Sequence, residues 1–184
     1  MKKVTMDTGV LINILDAKPG AQDVQELLRW HKEGKIEIYV SNRVFEHDTR
    51  KMLQAQVQEL QTLLKEYNIS IEGAPFRLNF SLLSSRDLLS GGPSIRTPEE
   101  MKKFINLVGK DPSGQFASSK TLSNKLGDYD SLKDHFASGR DVFLTLDKKH
   151  YLDVHKRKRY EEQLGLVILS PTEFLEKNAN LQQA

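Results

Sequence analysis

Short apolar runs and amphipathic stretches alternate along this chain, and that alternation restricts its fold more than any other feature. Residues 2 to 6 read as a strand, and Val10, Leu11, Ile14 and Leu15 form one face of a short helix that ends near Lys18-Pro19-Gly20. Val24, Leu27, Leu28 and His31 carry a second helix. Ile36 to Val40 is a β-branched and aromatic strand, and Ser41 or Asn42 is placed to cap a long third helix running to about Tyr67. Val142 to Thr145 and Leu166 to Leu169 supply two more strands. Ser170-Pro171-Thr172-Glu173 then spells a capping box with proline at the first helical position. Strands separated by helices need crossover connections, so the expected fold class is α/β, a parallel β-sheet flanked by helices.

Residues 68 to 127 interrupt the rhythm. They hold Gly73, Pro75, Gly91-Gly92-Pro93, Pro112, Gly114 and many serines, with one helix expected from Thr97-Pro98-Glu99-Glu100 to about Val108. An irregular insertion or lid is the expectation for this stretch. With 184 residues, 38% of them hydrophobic, the chain suits a single domain over 1–176 and a polar tail over 177–184. There are no cysteines, which excludes a disulfide framework and a thiolate zinc site and suits a cytoplasmic setting. No run approaches the roughly 20 apolar residues of a membrane span, so no membrane partner is expected. The net charge of +2 puts the weight of any nucleic-acid argument on where the charges lie.

Four acids stand where such a sheet places its ligands. Asp7 follows the first strand run and Asp147 the run Val142 to Thr145, at the carboxyl edge where open α/β sheets bind. Glu46 falls in line with the stripe Leu53, Val57, Leu60, Leu64 and Tyr67 when the third helix is extended backwards, through Arg50. Asp128 stacks with Leu132 and Phe136 at four-residue steps, whereas Asp130 and Asp134 fall on the other side of that helix, leaving Asp130 as a reserve ligand. Each acid has an ordinary alternative: strand-end aspartates form turns, and helix-start acids cap and favour the macrodipole. Four together, with no evident paired base, point instead to a hard divalent cation that offsets their repulsion.

After Asp147 comes a basic run, Lys148, Lys149, Lys156, Arg157, Lys158 and Arg159, interleaved with His150, Tyr151 and His155. Beside a metal edge these cations suit phosphate contact, and Tyr151 suits stacking on bases, against the plainer reading of a solvated helix face. Asp7-Thr8-Gly9 also spells the aspartic-protease triplet, but that chemistry needs two such aspartates on a β-rich scaffold. A haloacid-dehalogenase-like phosphatase would want a second aspartate where Gly9 stands.

The segments Val4 to Ile12, Ser41 to Glu46, and Gly127-Asp128 through Gly139 to Asp147 together resemble those of PIN-domain proteins, over about residues 1–67 and 124–176. The resemblance implies a PIN-like fold, a Mg²⁺ or Mn²⁺ site built by Asp7, Glu46, Asp128 and Asp147, and metal-dependent endoribonuclease activity on single-stranded RNA. Thr8 and Thr145 match the small hydroxyl residues beside that site, where substrate would lie. Direct ligation falls to Asp7, Asp128 and Asp147, and Glu46 serves a second metal or orients the attacking water. Many members are toxins of toxin-antitoxin pairs, so an antitoxin protein and a homodimer stand among the partner expectations. The alternative is a PIN-like module that binds nucleic acid or protein with little or no hydrolysis.

Overall fold

In a computed structural model of the chain, residues 1–41, 52–72, 96–109 and 130–182 are described. Val4, Thr5 and Met6 are all fully buried, which is the pattern of a strand covered on both faces, and they lie in β1, Lys2–Met6. Around it the described elements run α1 (Thr8–Leu15), α2 (Ala21–Lys32), β2 (Ile36–Ser41), α3 (Gln54–Glu66), β3 (Ser70–Glu72), α4 (Pro98–Gly109), α5 (Asp130–Ser138), β4 (Val142–Leu144), α6 (Val154–Leu164), β5 (Ile168–Leu169), α7 (Pro171–Lys177) and a 3₁₀ turn (Ala179–Gln182). The five strands form one all-parallel sheet in the order β3-β2-β1-β4-β5. The expected α/β class is therefore observed.

Alternation along each strand sends side chains to opposite faces and builds two cores. Val4, Met6, Ile38, Val40 and Leu144 pack with α1, α2, α3 and α7, where Trp30 and Phe174 are both fully buried. On the opposite face Phe143 and Ile168 meet Phe104 of α4, Leu132 and Phe136 of α5 and Tyr160 of α6. Among the described residues no helix is long and apolar enough to cross a membrane.

Several expectations change. The third helix of the described residues starts at Gln54 rather than near Asn42, and Leu53, 73% exposed, is its extended N-cap instead of a core position. The helical phase that carried the stripe back through Leu53 to Glu46 is thus broken at Leu53; Glu46 itself lies outside the described residues. Residues expected as an insertion contribute to the main body: β3 forms a sheet edge, and Met101, Phe104, Ile105 and Val108 of α4 are buried in the second core. The stretches 73–95 and 110–129, which include Asp128, lie outside the described residues. Other expectations are met closely. Ser170 accepts from the Glu173 N–H while Glu173 accepts from the Ser170 N–H, the capping box anticipated at the start of α7.

Candidate functional site

The sheet register puts several polar groups in one row at its carboxyl edge. Met6 pairs with Val40 on one side and Leu144 on the other, so Asp7, Ser41 and Thr145 occupy the next position of three adjacent strands. Parallel neighbours in register point to the same face, here the face covered by α4, α5 and α6. Asp7 is anchored by its N–H to the Leu144 carbonyl at 2.9 Å and opens α1 as its N-cap residue.

One hydroxyl joins the two strand-end aspartates. Thr145 Oγ1 donates to Asp7 Oδ2 at 2.8 Å and accepts from the Asp147 N–H at 3.1 Å. Thr145 is fully buried and Thr8 nearly so, at 4% exposure. Removing the Thr145 hydroxyl deletes the hydrogen bonds it makes to the Asp147 N–H and to Asp7 Oδ2. Thr145→Val is accordingly expected to lose roughly 1–3 kcal/mol of stability, with Thr145→Ser close to the parent, measured by urea denaturation.

Asp147 is held differently from Asp7. Its Oδ1 accepts the N–H groups of Lys149 and His150, each at 2.9 Å, and Oδ2 meets His150 Nδ1 at 2.6 Å. Burial alone would raise this carboxyl, but the His150 N–H, the His150 ring and its charge, and the Lys149 N–H together hold it below the usual aspartate value. The spacing Asp147-Lys148-Lys149-His150 carries the signal for this contact. In the sequence alone His150 stands only among the residues interleaved with the basic run.

An acid of α5 also differs from expectation. Asp134, placed by helical phase on the side away from the core, meets the buried Ser41 hydroxyl at 2.5 Å at the carboxyl end of β2. The phase was sound for Leu132 and Phe136, which are buried, yet α5 is enclosed on several sides and Ser131, Lys133 and His135 are buried with them. Asp130 is the first residue of α5. The structure thus brings together Asp7, Thr145, Asp147 and His150, with Ser41 and Asp134 on the neighbouring strand end. Among the described residues no group of three or more His, Cys, Asp or Glu is close enough to hold a metal ion.

Beyond Asp147 the basic run divides. Lys156 Nζ donates to the Lys149 carbonyl at 3.0 Å, and Arg157 pairs with Glu173 of α7 at 2.8 Å. Lys148, Lys149, Lys158 and Arg159 are exposed, as is His155. Tyr151 is buried, with its ring edge-on to Phe143 at 5.3 Å, which removes it as a stacking platform for bases. No protein-family model matches this chain. A search of curated proteins likewise returns no match.

Proposed function

We propose that the chain is a metal-dependent endoribonuclease of PIN-like design, working at the carboxyl edge of its parallel sheet. The observation that supports the reading is the linkage of the Asp7 carboxylate to the Asp147 backbone N–H through the buried Thr145 hydroxyl, which ties two strand-end aspartates together at the edge where such sheets bind ligands. Their chemistry fits Mg²⁺ or Mn²⁺. A small hard cation takes oxygen donors, needs only one or two carboxylates and keeps several waters. Asp7 and Asp147 are the ligands among the described residues, with Asp128 and Glu46 completing the proposed set. When bound, the cation supplies an activated water and offsets charge on the phosphodiester undergoing hydrolysis. Thr145 ties the Asp7 carboxylate to the Asp147 backbone, His150 orients the Asp147 carboxylate, and the exposed lysines beside them attract the phosphates.

The engagement of Asp147 by two backbone N–H groups and the His150 ring favours a second reading. A carboxylate so engaged serves a turn well, and a PIN-like module that binds nucleic acid without cutting it would need no more. Calorimetry and a cleavage panel separate the two. The nuclease reading expects Mn²⁺ or Mg²⁺ to bind the full chain at millimolar concentration or below and to raise its melting temperature, because a ligand selective for the folded state stabilises it. It also expects cleavage of single-stranded, hairpin or transfer RNA that stops with chelator. RNA binding without metal binding or cleavage would establish the module instead.

A further inference from the structure

Helix α6 carries its charges in the order that an isolated helix disfavours. A helix N-terminus bears a partial positive charge and prefers acids, and its C-terminus prefers bases. In α6 the run Lys156-Arg157-Lys158-Arg159 fills the first half, no acid stands in the first turn, and Glu161 and Glu162 lie in the second half. The capping Asp153, which accepts from the Lys156 N–H at 3.1 Å, offsets this only in part. As the crossover from β4 to β5, the helix starts at the carboxyl edge of the sheet, just after Asp147. Its cations are thus gathered where the strand-end aspartates sit, against the preference of their own backbone.

Two of these cations have structural work that holds the patch in shape. Arg157 fastens α6 to Glu173, whose carboxyl burial would raise but which the Ser170 N–H and Arg157 hold below its usual value. Lys156 ties the Lys149 carbonyl to the first turns of α6. His155, Lys158 and Arg159, at spacings of three and four, share one exposed face, and Lys149 is exposed on the loop that Lys156 secures. The Lys158 contact with Glu162, 3.7 Å with both side chains mostly exposed, is too weak to occupy that lysine.

We propose that Lys149, His155, Lys158 and Arg159 form a docking surface for the phosphate backbone of RNA, reading charge and not bases, while Arg157 and Lys156 are its struts. The choice of RNA among polyanions rests on the nuclease reading above. An anionic ligand spanning this face meets both the exposed cations and the positive end of the helix, which accounts for a charge order that otherwise opposes the fold. With Tyr151 buried, this face gains its affinity from phosphates, so base identity contributes little.

The test is binding of the full chain, in chelator, to a labelled single-stranded RNA and to an abasic strand of equal length across a salt series. The parent is expected to bind both strands with similar affinity. In Lys149→Gln/Lys158→Gln/Arg159→Gln the slope of log K against log salt should become shallower by about 2, and affinity at about 0.1 M salt should fall roughly 100-fold, since each lost phosphate contact on a single strand removes about 0.7 from the slope. Arg157→Gln should keep the parental slope while lowering the melting temperature. An unchanged slope in the triple variant, a loss as large in Arg157→Gln, failure on the abasic strand, or binding to phosphatidylserine vesicles in place of RNA would each overturn the surface. Because no metal is present, the outcome is separate from the nuclease reading. Metal binding and cleavage by the parent alongside an unchanged slope would sink the surface alone, and the expected slope in a chain that binds no metal would sink the nuclease alone.

Discussion

Asp7→Asn is expected to lower metal-dependent RNA cleavage by at least roughly 100-fold while the chain still folds. Stabilisation of a phosphodiester transition state by a bound cation amounts to several kcal/mol, and losing even about 2.7 kcal/mol of it corresponds to that factor. Asparagine keeps the shape of the side chain and still offers the Thr145 hydroxyl an oxygen to donate to, so the contact now made at 2.8 Å has a replacement. What it removes is the negative charge that a cation needs. The fold should be unharmed or more stable, because one member of a group of like charges has been neutralised. The measurement is initial rate with Mn²⁺ on the panel substrate that the parent cleaves best, beside the melting temperature in chelator. Parental rates from a purified Asp7→Asn variant would place the nuclease elsewhere or in a contaminant.

The framework of the fold was legible wherever periodicity was unambiguous. β1 and β2 are buried on both faces and read as apolar runs; α2 has Val24, Leu27 and Leu28 in helical phase, and all three are buried. The capping box at Ser170 marks its helix because the reciprocal bonds need those residue types at that spacing. β3 escaped notice because it is three residues long and carries a single apolar side chain, Ile71, between Ser70 and Glu72. Helix α6 was legible only as the plainer reading of the basic run: Tyr160 is its buried residue, Val154 is 75% exposed, and a sparse apolar stripe gives periodicity little to work with.

At the candidate site the limit was different in kind. Strand ends are fixed by burial, so Asp7 and Thr145 could be placed from the sequence, and the structure joins them. Helix faces are fixed only when one side is wet. Helix α5 is packed against the sheet with Ser131, Lys133 and His135 buried beside Leu132 and Phe136, so an argument from amphipathicity sends its polar residues to solvent and misses the Asp134 contact with Ser41. The same enclosure hides a polar network under the sheet. Arg140 Nη1 donates to Thr5 Oγ1 at 3.2 Å and its guanidinium lies 4.2 Å from the centre of the Tyr39 ring, while His135 Nδ1 is 2.9 Å from the same hydroxyl. Thr5 and His135 are 130 residues apart in sequence, and only the register of β1 against α5 brings them together.

That buried histidine makes the chain's stability depend on pH. Burial, with smaller repulsions from Arg140 and Arg96, pushes His135 down to about 3, and its Nε2 is buried without a hydrogen-bond partner. In the folded chain the ring is therefore neutral at any pH above about 3, whereas in the unfolded chain it takes up a proton below about 6.5. Between those values the unfolded state binds one proton more, so stability is complete above about 6.5 and is lost as pH falls toward 3. The slope from this group approaches about 1.4 kcal/mol per pH unit well below 6.5, or roughly 2–3 kcal/mol between pH 6.5 and 4.5. Carboxylates held below their usual values, such as Asp147 and Glu173, add slope in the same direction only at lower pH. The expected result is that His135→Leu loses about 1.4 kcal/mol per unit of the parent's slope between pH 4.5 and 5.5, in urea denaturation followed at each pH. Its absolute stability at pH 7.5 is a separate matter, since the Thr5 hydroxyl loses one neighbour and the Nε2 burden disappears with it. His135→Gln, which cannot titrate but can still bond to Thr5, guards against a packing artefact. Identical pH slopes in the parent and both variants would show that His135 is protonated in the fold, and the Thr5 network would then have to be redrawn with a charged ring.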